Sequence, residues 1–322
     1  MTGAPFHLAF AALHKTCDDT FQSNVSTVRL HTMTIDPLRT CQKIVLKSKS
    51  SFTLCLLYVT PDQRNALTAL YSFCREIDDI ADDIQNIQIA TQQLNFWHKE
   101  IENCYQGKST HPIGTTLQPY IEQYKLPQTL FTQMIEGMRM DLHHKGYATL
   151  SELSDYCYHV ASTVGLLACR IFGYRDPNTL QYAKTLGLAL QHINIIRDVQ
   201  EDANRNRVYL PEEILSQFNL RAQDIVKNRY SKTSLQQVLA HTASHATTLF
   251  EKALNTLPET DRVSQLPGLI IGNIYFQLLK KIKKNNYDVM TKRFSLSPLL
   301  KLWIAFHTAQ TEKKRAKTLL TT

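Results

Sequence analysis

The chain has 322 residues, 43% of them hydrophobic, with 36 Lys and Arg against 28 Asp and Glu and a formal charge of +8. That apolar share is ample for a core, but no run approaches the ~20 apolar residues of a membrane-spanning helix. Seven scattered cysteines, odd in number and without Cys-x-x-Cys spacing, exclude a disulfide framework or a zinc site and fit a reducing cytosol.

Residues 1–32 lack sustained periodicity and read as an extension, with Met33 a candidate initiator. The apolar patch at 6–13 has no basic segment before it, so a secretory signal is not expected. Asp36 is placed to cap a helix opening at Pro37, and Thr60 to cap one opening at Pro61. The second helix carries Ala66, Leu67, Leu70, Phe73, Cys74 and Ile77 at helical spacing. A further helix is predicted over 86–106. A polar segment with Gly107, Pro112 and Gly114 then reads as a break. Pro127 starts a helix to about Leu142, and 153–172 forms another, ended by Gly173. Its Ala161, Ser162 and Gly165 would let a neighbouring helix or a ligand come close. Helices are predicted over 177–201, 223–256 and 266–285, with a tail helix after the turn that ends at Pro298. With few Gly and Pro, no competing strand pattern and no interior linker, residues 33–322 read as one all-α domain.

Two acidic stretches carry the chemistry: Asp78-Asp79-Ile80-Ala81-Asp82-Asp83, and the segment from Asn194 through Asp198 to Asp202. Four-residue spacing sets Asp78 and Asp82 on one helix face, about 6 Å apart along the axis. Asn194, Asp198 and Asp202 share one stripe of a second helix. Two bare carboxylates at that distance repel by roughly 3 kcal/mol at an effective dielectric of 20. Such a cluster needs water or cations. Hard oxygen ligands with no Cys or His in the set suit Mg²⁺ shared with a substrate phosphate. The basic excess agrees with a polyanionic partner: nucleic acid, anionic lipid or a diphosphate.

The stretch from Tyr71 through Phe73-Cys74-Arg75 to Asp82 resembles the first Asp-rich motif of the squalene/phytoene synthases. Leu190-Gln191 through Asn194, Arg197, Asp198 and Asp202 to Arg207, Tyr209 and Pro211 is similar to their second. Glu136 to Leu142 and Tyr156 to Gly165 resemble the segments between. Ser51, Phe52 and Tyr275 fall where the family places substrate contacts. The resemblance implies an isoprenoid-synthase helical bundle with a central cavity, joining two prenyl diphosphates head to head. It implies Mg²⁺, with Mn²⁺ as an alternative, held by Asp78, Asp82, Asn194, Asp198 and Asp202. Arg75, Arg197 and Arg207, with Tyr71, Tyr209 and Tyr275, would bind phosphate oxygens. Phe52, Val160, Val164, Leu166 and Leu190 are candidates for a greasy wall, with Ala161 and Gly165 leaving room for the isoprenoid.

Within the family the motifs look most like bacterial presqualene diphosphate synthases of the hopanoid type. Those take two farnesyl diphosphates and need no NADPH. Phytoene synthase, dehydrosqualene synthase and squalene synthase are the alternatives, and a non-catalytic assembly factor would have lost carboxylates that are all present here. A di-iron bundle would need Glu-x-x-His pairs, which the chain lacks. Nucleic acid is not an expected partner, since no helix-turn-helix or aromatic-basic motif occurs. Downstream isoprenoid enzymes are conceivable partners. The basic stretches Lys280 to Lys284 and Lys313 to Lys317 suggest a cytoplasmic protein with peripheral contact to the inner face of a membrane. Asp79 and Asp83 read as solvated caps, and Arg139 and Arg205 as surface residues. Cys74 reads as a buried apolar group, and His143, His144, His159 and His192 as core or surface histidines.

Overall fold

In the computed structural model, residues 36–48 and 50–319 are described. The extension 1–32 and Met33 lie outside them. Among the described residues all regular structure is helical: α1 Pro37–Ser48, α2 Pro61–Asp83, α3 Ile87–Tyr105, α4 Pro112–Gln123, α5 Gln128–Leu142, α6 Leu150–Cys157, α7 Thr163–Phe172, α8 Asn178–Asn204, α9 Glu212–Gln217, α10 Ala222–Val226, α11 Lys232–Thr256, α12 Leu266–Lys284 and α13 Pro298–Leu319. A 3-10 segment, Ser51–Tyr58, precedes α2, and a π turn, Tyr158–Ser162, joins α6 to α7.

Local chemistry explains the main boundaries. Asp36 Oδ1 accepts from the Leu38 amide (3.0 Å). Thr60 and Gln63 form a reciprocal cap at the start of α2. Gln63 Nε2 also donates to the carbonyls of Ile171 and Phe172 (2.9 and 3.1 Å), tying that end to α7. Asn86 caps α3 by accepting from the amides of Gln88 and Ile89.

Three expectations are corrected. The break read at 107–114 is shorter than expected, because Pro112 opens α4 at the position where a missing amide costs nothing. Buried Glu100 pins the loop before it, accepting from Ser109 Oγ, Thr110 N and His111 N (2.6, 3.0 and 2.9 Å). The helix predicted over 223–256 is two helices. Asn228 turns left-handed (φ 54°) and ends α10, and Ser231 caps α11. The helix predicted over 153–172 is interrupted by the π turn.

Two large apolar cores result. One joins α1 to α5 with α7, around Phe73, Trp97 and Phe131. The other gathers α6 and α8 to α13, around Ile193, Ile196, Leu239 and Ile270. Helix α8 packs on α6, α7, α11, α12 and the π turn, so it runs through the middle of the bundle. Its contact with the π turn is backbone-close. A Cβ on Gly187 would sit 2.7 Å from Ser162 Cα and 2.8 Å from the Ala161 carbonyl oxygen. A Cβ on Gly165 would sit 2.7 Å from the Ala183 carbonyl oxygen. The small residues at 161, 162 and 165 thus serve helix approach, and Ala161 and Gly165 also border a cavity.

Candidate active site

The last turns of α2 and α8 bring the two acidic rows to one cleft of about 520 Å³. Asp78, Asp82, Asp141, Asp198, Glu201 and Asp202 line it, together with Arg75, Arg197, Arg205, Arg207 and Arg293. The rows face a shared hollow, as the paired-carboxylate reading requires. Arginines join the helices across it. Asp82 receives Arg205 Nη1 (2.6 Å) and Arg207 Nη1 (2.7 Å), while Arg207 Nη2 donates to the Ala81 carbonyl (2.8 Å). Arg197 pairs with Asp198, its Nε 2.7 Å from Oδ1. Arg293 approaches Asp198 (3.5 Å) and Glu201 (3.4 Å). Arg75 pairs with Asp78 (3.3 Å) and Asp79 on its own helix.

Three cavities adjoin this cleft through shared walls. An apolar cavity of about 240 Å³ runs inward between the 3-10 segment, α7, α8 and α12. Phe52, Val160, Ala161, Val164, Gly165, Leu190, Gln191, Asn194 and Tyr275 border it. Leu166, expected in this wall, instead packs against the cores. It lies on the far side of the helix from Val164 and Ala168, which do face the cavity. A 210 Å³ cavity is lined by Tyr71, Arg75, Asp78, Tyr156, Val160, Val164 and Gln191. A 400 Å³ polar cavity is lined by Ser51, Tyr71, Arg75, Arg197, Tyr275, Arg293 and Lys301. Phe52 stacks on Tyr71, ring centroids 5.0 Å apart. Apart from Leu166 of the apolar wall, each residue singled out from the sequence as a metal or substrate contact lines at least one of these four spaces.

Several residues take positions the sequence did not indicate. Asp141 is buried and accepts from the hydroxyls of Tyr209 (2.7 Å) and Tyr156 (2.9 Å), so Tyr209, expected to donate to phosphate, here donates to a carboxylate. Arg205, read as a surface residue, holds Asp82. Arg293 and Lys301, which lie outside both acidic motifs, reach the site. Arg139, also read as a surface residue, is half-buried and rests on Glu136 and Asn95. The histidines take structural places: His144 Nε2 meets the Val208 carbonyl (3.1 Å), and His192 is buried with its ring pushed down to about 4 by burial. Burial pushes the Cys74 thiol up to about 12, which agrees with an inert apolar role.

Charge decides what the cleft can hold. Burial and the neighbouring Asp82 push Asp78 up to about 6. Burial, with Asp198 next, pushes Asp202 up to about 7. Burial pushes Asp141 up to about 6 against its tyrosine bonds. Asp78 keeps 48% of its side-chain area open, so water weakens its shift most. Among the described residues no group of three or more His, Cys, Asp or Glu is placed to hold a metal ion by itself. Asn194 Oδ1 is buried without a hydrogen-bond partner, at the wall shared by the polar cleft and the apolar cavity. Crowded carboxylates and an unsatisfied amide oxygen fit Mg²⁺ that takes few protein ligands and completes its shell with phosphate oxygens and water.

These residues lie inside a longer match. Residues 45–299 match the family model for squalene/phytoene synthase. The chain belongs to the squalene/phytoene synthase family. It is 34% identical over 265 residues to 15-cis-phytoene synthase of Synechococcus elongatus, covering 79% of this chain and 86% of that protein. It is 33% identical over 269 residues to a chloroplastic phytoene synthase of an Oncidium hybrid, and the match covers 81% of this chain but only 65% of that relative. Among solved structures, squalene synthase HpnC from Alicyclobacillus acidocaldarius superposes with a TM-score of 0.69 at 27% identity, over 78% of this chain and 94% of that one. A dehydrosqualene synthase superposes at 0.76 and 26% identity, over 86% and 97%. The family is one of head-to-head prenyltransferases. Among the described residues no helix is long and apolar enough to cross a membrane.

The raised carboxylates give a pH signature. The folded protein holds protons at Asp78, Asp141 and Asp202 that the unfolded chain has lost. Their stabilising contribution is whole below about pH 4 and is lost as pH rises through about 6 to 7. Cations that replace those protons should recover it. Thermal melts with and without Mg²⁺ and inorganic diphosphate are therefore expected to differ more at about pH 8 than at about pH 5.5. A difference that does not grow with pH would remove these carboxylates from the binding site.

Proposed function

We propose that the protein condenses two prenyl diphosphates head to head in a divalent-cation-dependent reaction. The observation that carries this reading is the polar cleft flanked by both acidic rows and adjoining an apolar cavity at Gln191 and Asn194, which line both. Five arginines stand beside six carboxylates there, close to balance before any ligand arrives. A diphosphate adds negative charge that this set cannot neutralise unaided. Mg²⁺ or Mn²⁺ shared between the diphosphate and Asp78, Asp82, Asn194, Asp198 and Asp202 would supply the missing positive charge as the C–O bond breaks.

Arg75, Arg197 and Arg207 then have two partners to choose between. Each now rests on an aspartate, and each can turn its fork to phosphate oxygens once cations cover the carboxylates. Tyr71 and Tyr275 stand at the polar side of the prenyl channel. Phe52, Val160, Val164, Gly165 and Leu190 exclude water from the allylic cation. The C1–O bond of one substrate breaks. The double bond of the second closes on that C1, and as the cyclopropane ring forms a proton passes to the departing diphosphate. The second diphosphate stays attached.

The motif resemblance supports farnesyl diphosphate as substrate and presqualene diphosphate as product, with no reductant. The phytoene synthases at 33–34% identity support a second reading with two geranylgeranyl diphosphates. Pure protein incubated with either substrate and Mg²⁺, with and without NADPH, separates the two by mass spectrometry. A C30 cyclopropyl diphosphate formed without NADPH is the expected result, stopped by EDTA and restored by Mg²⁺. A C40 product from the longer substrate alone selects the second reading. No joined product from either would overturn head-to-head condensation.

A further inference from the structure

The outer face of α13 leaves four large apolar side chains open to solvent. Leu299, Leu302, Trp303 and Phe306 are 69%, 46%, 59% and 60% exposed. At 100° per residue they share one stripe about 100° wide. That stripe lies opposite the buried side formed by Ile304, Ala305 and Thr308. Toward the C-terminus the same face turns basic, with Lys313 and Lys314 exposed. Four large apolar side chains on one stripe exceed the single exposures ordinary on soluble surfaces. The helix also reaches the site. Lys301, on its inner flank, lines the 400 Å³ polar cavity with Arg293 and the 294–296 segment.

We propose that this face of α13 seats the protein on an anionic lipid bilayer. Leu299, Leu302, Trp303 and Phe306 enter the interfacial layer, and Lys313 and Lys314 meet headgroup phosphates. An indole ring favours the headgroup level, where its apolar body and its N–H are both satisfied. A basic segment beside an apolar stripe is the pattern of a helix lying in the interface plane. Charge favours this occupant over a second copy. Pairing two such faces in parallel would set lysines on lysines in a protein of charge +8. Pairing them antiparallel would bury Lys313 and Lys314 against the partner's leucines. The inference goes beyond the proposed reaction and does not require it. If the reaction stands, the bilayer lies beside the cavity that must discharge a very apolar chain.

The chain has two tryptophans, and Trp97 is 1% exposed in the core, so a vesicle-induced change in emission reports Trp303. The test mixes full-length protein with phosphatidylcholine vesicles containing about 30% phosphatidylglycerol, and with phosphatidylcholine alone. A blue shift and co-flotation with the anionic vesicles at low salt are expected. Trp303→Glu with Phe306→Glu should abolish co-flotation, and Lys313→Glu with Lys314→Glu should cut partitioning more than about tenfold. No blue shift with anionic vesicles, or co-flotation that survives Trp303→Glu with Phe306→Glu, overturns the proposal. So does a vesicle-independent blue shift that rises with protein concentration alongside a doubled mass in light scattering, which would give the face to a second copy. Turnover in lipid-free solution is expected to stay at the wild-type level in both variants. Lost lipid binding and a wrong reaction are thereby told apart.

Discussion

Asp82→Asn and Asp198→Asn are each expected to lower kcat/KM by at least about 10²–10³-fold, the usual scale for removing one charged element that acts on developing charge in a transition state. The two sites lie on different helices and are held differently. Asp82 receives Arg205 and Arg207, whereas Asp198 receives Arg197 with Arg293 near by. An amide retains one acceptor oxygen for an arginine but not the charge that a cation requires. The folded structure should therefore survive, with an unchanged far-UV circular dichroism spectrum and a melting temperature within a few degrees of wild type (roughly 1 kcal/mol). Adding Mg²⁺ at high concentration should recover little activity. Either variant turning over normally would show that cations are not gripped by these two rows.

Gly187→Ala is expected to be the most damaging conservative change in the molecule. The added methyl would stand 2.7, 2.8 and 2.9 Å from Ser162 Cα, Ala161 O and Ala161 C, all of them backbone atoms. Backbone cannot swing aside as a side-chain tip can, so α8 and the π turn must separate. Overpacking of this kind costs about 1–3 kcal/mol, and more where backbone must move. A fall in melting temperature of roughly 5–10 °C is expected. Because Gly187 and Ala161 both border the apolar cavity, the same variant should also lose turnover. A wild-type melting curve for Gly187→Ala would mean that the two elements are not in backbone contact.

The acidic rows were legible because they obey helix periodicity: Asp78 and Asp82, then Asn194, Asp198 and Asp202, each repeat at four residues. The apolar stripe of α2 and its Thr60 cap were legible for the same local reason. What the sequence hid is what depends on approach through space. Arg205 and Arg207 sit two residues apart in the chain, yet only the folded loop shows that both meet Asp82. Arg293 is 95 positions from Asp198, and nothing local distinguishes it from the other surface cations. Asp141 stood in a recognised motif, but its two tyrosine donors come from different elements, Tyr156 on α6 and Tyr209 beyond α8. Helix α4 was obscured by Pro112 and Gly114, which read as breakers. Gly114 is there because a Cβ would stand 2.4 Å from Ser109 Oγ, a packing demand set by the neighbouring loop.

The π turn at Tyr158–Ser162 also sets the phase of α7. One extra residue in a helical turn rotates every later side chain by about 100° relative to an uninterrupted α-helix. That rotation aims Val164 and Gly165 at the cavity while leaving Leu167 and Ile171 in the core. Regularising the turn at unchanged residue count would undo that rotation, bringing core residues toward the hollow and turning Gly165 to the packing, whereas deleting a single residue within 158–162 would remove the bulge and leave the later side chains in phase. The shape of the hydrocarbon chamber thus hangs on residue count as well as residue type, and a one-residue deletion in this turn should disturb it less than a deletion further along α7.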